Sequence, residues 1–71
     1  MELVVYEKNL ADEVTGFKVY FGGEQIGTLE YRSHKWIAAT FEGRSIITLR
    51  TKHLTDAVGW LELTIENKKR E

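Results

Sequence analysis

The stretch KWIAATFEGRSIITLRTKHLTDAVGWLELTI, residues 35–65, changes its hydrophobic period part-way, and that change decides the fold. Its first half is rich in β-branched and aromatic residues and is interrupted by Gly43, so it reads as two strands, over about 35–41 and 45–51, joined in a hairpin. After Thr51 the apolar residues Leu54, Ala57, Val58, Leu61 and Ile65 recur at helical spacing. Thr51 and Thr55 are the N-cap candidates, Asp56 suits the positive end of the dipole, and a helix over about 54–68 is expected. Lys68, Lys69 and Arg70 fall in its last turn, where cations favour the negative end. Trp60 and Leu63 lie off the apolar stripe; either the stripe is wide or they meet a partner chain, such as a second copy of this one.

Parity selects the hairpin loop. A three-residue loop, Phe41-Glu42-Gly43, puts Ile37, Ala39, Ile47 and Leu49 on one side of the sheet. Trp36, Ala38, Thr40, Arg44, Ile46, Thr48 and Arg50 then share the other side. A two-residue loop would instead group Trp36 with Leu49, so the three-residue loop is the expectation.

Outward from this segment, residues 15–21 alternate Phe17, Val19 and Phe21 against Gly16, Lys18 and Tyr20. Gly22-Gly23 follows as a two-residue turn tolerant of positive φ at both positions, leading into a strand over about 24–32. In unbroken register Val19 faces Ile26, so Phe17, Val19, Ile26 and Thr28 share one face, with Lys18, Tyr20, Leu29 and Tyr31 on the other. A first strand over about 2–7 contains Leu3-Val4-Val5-Tyr6 and ends in a polar loop around Asn9, Asp12 and Glu13. Arg32-Ser33-His34 is short and polar, as a continuing meander requires. The expected fold is therefore α+β: an antiparallel meander sheet of four to five strands with one C-terminal helix packed on one face, a single small domain over residues 1–71. Its core joins Leu54, Val58, Leu61 and Ile65 to Phe17, Val19, Ile37, Ile47 and Leu49.

Composition narrows the function. There is no cysteine, so disulfide scaffolds and thiolate metal sites are excluded, and no proline or low-complexity stretch marks a linker. The longest uncharged run, Trp36 to Phe41, has 6 residues, against the roughly 18 of a membrane helix. The opening Met1-Glu2-Leu3-Val4-Val5 lacks the pattern of a secretory signal, and a cytoplasmic location is expected. The net charge of −1 is unevenly spread: residues 1–17 sum to −3, residues 18–53 to +3 and residues 54–71 to −1.

Catalysis finds little purchase. His34 and His53 lack metal-ligand spacing, and adjacent Ser33 and His34 point oppositely on an extended chain. Gly22-Gly23-Glu24 lacks the lysine and helix of a phosphate loop. No enzyme, no metal and no cofactor are expected. The sheet face away from the helix would carry Lys18, Tyr20, Tyr31, Trp36, Arg44 and Arg50, cations among flat rings. Such a face suits nucleic acid, through phosphate neutralisation and stacking. Tyr, Trp and Arg equally dominate protein interfaces, and the face could also pack under the N-terminal segment.

The run Lys35-Trp36-Ile37-Ala38-Ala39, then Gly43, Leu49-Arg50-Thr51, Asp56-Ala57 and Trp60-Leu61 resembles the APETALA2-like and phage integrase arm-type DNA-binding domains, over roughly residues 24–65. The resemblance implies a three-stranded sheet plus a helix whose sheet lies on DNA, with Arg32, Lys35, Trp36, Arg44 and Arg50 at its contact positions. DNA is thus the expected partner. The alternative is a phage- or mobile-element-type interaction domain that inhibits or regulates a larger host protein, using Trp60, Leu63 and the acidic N-terminal third.

Overall fold

The computed structural model describes residues 1–69. Its elements are β1 (Glu2–Lys8), β2 (Val14–Phe21), β3 (Glu24–Arg32), β4 (Lys35–Glu42), β5 (Ser45–Thr51) and α1 (Leu54–Lys69). The 5 strands form one antiparallel sheet in sequence order, and α1 lies over β4 and β5. The α+β meander with one C-terminal helix is therefore as expected, with the helix one residue longer. Arg70, assigned from sequence to the last helical turn, lies outside the described residues.

Tight turns make the meander. Gly22 and Gly23 take φ of 60° and 81°, and Phe21 pairs with Glu24, the doubly positive geometry that matches the twist of a hairpin. Ser33 and His34 connect β3 to β4 in the same way, with φ of 52° and 63°, although neither is glycine. The β4–β5 loop corrects the sequence reading: Phe41 pairs with Ile46 and Glu42 with Ser45, leaving a two-residue turn of Gly43 and Arg44. Gly43, at φ 61°, supplies the left-handed first position of that turn. Between β1 and β2, Asn9 Oδ1 accepts the Ala11 and Glu13 amides and organises the loop.

The second correction lies in β3. Val19 pairs with Gly27 and Tyr20 with Gln25, so Ile26 is an extra residue, a β-bulge that flips every later side chain of the strand to the other face. Leu29 and Tyr31 thereby face the helix, while Thr28, Glu30 and Arg32 face away. Unbroken register would have driven Glu30 and Arg32 into the core. The bulge is locked by Thr40, 2% exposed, whose hydroxyl donates to the Ile26 carbonyl at 2.8 Å. Gly27 is required beside it: a Cβ there would stand 2.0 Å from the Ala39 carbonyl oxygen.

These two shifts define the core. Trp36 pairs with Thr51, Ala38 with Leu49 and Thr40 with Ile47, so Trp36, Ala38 and Thr40 turn toward the helix, and Ile37 and Ala39 turn away. Val19, Leu29, Ala38, Ala57 and Leu61 are buried together, with Phe17, Ile26, Trp36, Leu49, Leu54, Val58 and Trp60 packed around them. Small Ala38 and Ala57 let the helix approach the sheet closely. The apolar stripe is wide enough to include Trp60, whereas Leu63 is 62% exposed. At the helix start the His53 carbonyl accepts from the Asp56 and Ala57 amides, and Thr51 bridges the His53 amide and the Asp56 carboxylate. Thr51 thus organises this end, and Thr55 is already inside the helix. The accessible surface of 5217 Å² exceeds the roughly 4,500 Å² expected for this mass, in keeping with a sheet covered on one side only.

Two glycines give opposite expected outcomes. Gly27→Ala must push β3 off β4 and should lower unfolding stability by about 3 kcal/mol or more in urea denaturation. Gly59→Ala, in the helix with open space where the Cβ would go, should raise it by about 0.5–1 kcal/mol.

Candidate functional site

The sheet face opposite the helix is built by register. One cross-strand row runs Val4, Lys18, Thr28, Ala39 and Thr48, and a second runs Glu30, Ile37 and Arg50. Lys18, Tyr20, Arg32, Lys35 and Arg50 therefore share this face; the parity read from sequence puts Lys18, Tyr20 and Arg50 here, while Arg32 and Lys35 enter only through the family resemblance. Tyr31 and Trp36 do not. They pack against each other on the helix side, centroids 5.2 Å apart and rings tilted by 53°, with Phe17 at 6.1 Å from Trp36. With Asn9, Glu13 and Lys52 they line a cleft at that side of the sheet instead. The physical reason is the Ile26 bulge together with the two-residue Gly43-Arg44 turn. Arg44 sits in that turn, six residues along an extended strand from Arg50, or about 20 Å.

An aromatic ring that sequence reasoning missed belongs to this face. Tyr6 is the extra residue of a β1 irregularity between Val5 and Glu7 and lies over Gly16, where a Cβ would come within 2.8 Å of its ring. The Lys18 ammonium stands 5.9 Å from the Tyr6 centroid, a cation–π contact. Partial burial first, and the Glu30 carboxylate second, hold the Tyr6 hydroxyl above its ordinary pKa. An isolated glycine inside β2, Gly16, was the available signal.

Arg32 is tied down. Its Nη1 meets Glu7 Oε1 at 2.8 Å and donates to the Tyr31 carbonyl at 2.9 Å. Its Nη2 donates to Glu7 Oε2 at 3.2 Å and Glu30 Oε2 at 2.9 Å. Thr15 donates to the same Glu7 carboxylate at 2.9 Å. The network stitches β1, β2 and β3 together across the open face. It holds the Glu7 carboxyl below its usual range, through the Arg32 hydrogen bond first and Thr15 second, and raises Arg32 further. By contrast Lys18, Lys35, Arg44 and Arg50 make no ion pair among the described residues.

The two ends of the face differ. Near the Ser33-His34 turn, Arg32, Ser33, Lys35, Ile37 and Arg50 line a notch of about 240 Å³. Toward the Gly43-Arg44 turn, paired Phe41 and Ile46 are 51% and 61% exposed and border a small apolar hollow with Gly27, Thr28 and Ala39. Among the described residues no group of three or more His, Cys, Asp or Glu could hold a metal ion, and no helix is long and apolar enough to cross a membrane.

Glu7 gives the pH prediction. Its pKa is lowered on folding, so its contribution is present above the ordinary carboxyl value of 4.5 and is lost as pH falls through the lowered folded value. Wild type should lose melting temperature on acidification below about pH 4.5, and Glu7→Gln should flatten that limb in thermal scans.

Compared with family models, curated proteins and solved structures, the chain matches none, so its functional reading rests on the chemistry of this face.

Proposed function

We propose that this chain is a non-catalytic binding domain that holds nucleic acid, DNA foremost, on the open face of its sheet. The observation that carries the reading is an open sheet face on which Lys18, Lys35 and Arg50 have no counter-ion among the described residues while Tyr6 and Tyr20 lie among them. A cation without an ion-pair partner is free to displace the counterions of a phosphate backbone. Amphipathic rings on the same plane give sugars and bases a surface to pack on. The DNA-binding likeness of the segment from Lys35 to Leu61 favours the same face. The net charge of −1 is no obstacle, because a local field decides the encounter: Glu7 and Glu30 are spent on Arg32, and Glu2, opposite Tyr20, lies at the β1 edge of the face, away from Lys35 and Arg50.

A second reading has its own support. Exposed Phe41 and Ile46, side by side at the other end of the face, suit a protein partner, in keeping with an interaction domain that regulates a larger host protein. The two readings separate on salt.

Fluorescence anisotropy of labelled duplex and single-stranded oligonucleotides, at about 50 and 200 mM salt, should give affinity that falls steeply as salt rises. Lys18→Ala and Arg50→Ala should each reduce the log–log salt slope by about 0.7–0.9. In a Trp60→Phe background the emission of Trp36 should barely change on binding, because that ring lies on the helix side. Absent or salt-insensitive binding would remove the nucleic-acid reading in favour of the protein partner, and strong Trp36 quenching would move the contact to the other face.

A further inference from the structure

We propose that the notch beside the Ser33-His34 turn is a phosphate-binding site, formed by Lys35 and Arg50 as the ligating cations, Ser33 as a hydroxyl donor and Arg32 as its fixed wall. This deepens the nucleic-acid reading and rests on it for the source of the ligand, one phosphate of the bound strand.

Three observations converge on the notch. The first is its lining: Arg32, Ser33, Lys35 and Arg50 surround about 240 Å³ with Ile37 at the base, and no carboxylate takes part. Lys35 lies diagonal to Arg50 across β4 and β5, since Ile37 is the direct partner of Arg50. Diagonal positions stand about 7–8 Å apart, near enough for both long side chains to reach one anion between them.

The second is the division of labour among the cations. The terminal nitrogens of Arg32 are occupied by Glu7, Glu30 and the Tyr31 carbonyl, which fixes the guanidinium and neutralises it. Lys35 and Arg50 have no such partner among the described residues. An incoming phosphate thus meets two uncompensated charges beside a rigid wall. Glu7 and Glu30 are directed onto Arg32 and are not themselves part of the lining.

The third is the turn itself. Ser33 and His34 hold left-handed backbone at φ of 52° and 63°, where Asn-Gly would be relaxed. The strained pair puts a hydroxyl at the mouth of the notch that glycine would not supply.

The test is NMR titration of the full chain with inorganic phosphate at constant ionic strength, alongside the oligonucleotide titration. In wild type, phosphate should shift the amides of Ser33, Lys35, Ile37 and Arg50. Lys35→Gln and Arg50→Gln should each weaken phosphate binding on the order of tenfold. Ser33→Gly should raise the melting temperature by relaxing the turn and still weaken phosphate binding, which a merely structural turn would not do. If phosphate leaves the notch unshifted while the oligonucleotide binds, the site is overturned and the nucleic-acid reading survives. If phosphate binds at the notch and no oligonucleotide does, the site stands and the strand is not its source.

Discussion

One hydrogen bond and one missing side chain organise this domain. The Thr40 hydroxyl holds the Ile26 carbonyl at 2.8 Å, and Gly27 lets β3 run against the Ala39 carbonyl where any Cβ would collide. Together they fix the bulge that moves β3 by one residue between its two ends. Everything about the faces follows from that step. Beyond it, Leu29 and Tyr31 take the helix side that Val19 and Phe17 hold in β2, and Glu30 and Arg32 are released to water. A buried Leu29 contributes roughly 1.5–3 kcal/mol, while a buried unpaired charge would cost several. The balance leaves no competing register.

The same step divides labour between the two sides of the sheet. On the helix side, rings and aliphatic side chains from every strand converge on Leu61 and Ala57, with Trp36 sealing the end against Phe17 and Tyr31. On the open side, what would have been core in other registers is turned away from the helix: Ile37 and Ala39 are half-buried and Phe41 is 51% exposed. That side is held by ion pairing instead of apolar burial, with Arg32 joining β3 to β1 through Glu7, and Thr15 of β2 donating to the same carboxylate. Exposed ion pairs are individually weak, so this network orients side chains more than it stabilises the fold.

Much of this was legible from sequence, and the part that was not has a definite physical cause. The helix stripe and the Gly22-Gly23 turn were plain, because a 3.6-residue period and a double glycine each admit one reading. The parity of β2 and β5 was also right, which is why Lys18, Tyr20 and Arg50 were placed on the correct face. The β4 strand defeated the reading: Ile37, Ala39 and Phe41 are more apolar than Trp36, Ala38 and Thr40, so composition pointed to the wrong side of the strand. The signal that would have chosen lies in β3, where Ile26 breaks the alternation that Thr28, Glu30 and Arg32 keep on one side and Leu29 and Tyr31 on the other. An isolated glycine at such a break marks a bulge. Tyr6 was missed for a related reason, since its site depends on Gly16 lying directly beneath it in a neighbouring strand.

The corrected faces change what the open surface can do. With Trp36 and Tyr31 withdrawn to the core side, stacking is left to Tyr6 and Tyr20, and the chemistry of the face becomes chiefly that of its cations. Those cations are not equivalent. Arg32 is spent inside the molecule, and Arg44 stands about 20 Å from Arg50 at the far turn. Among the described residues Lys35 and Arg50 make no ion pair. Positive charge without an ion-pair partner there thus gathers at the Ser33-His34 end of the open face, while the exposed Phe41–Ile46 pair marks the Gly43-Arg44 end, so one sheet face carries two chemically distinct surfaces.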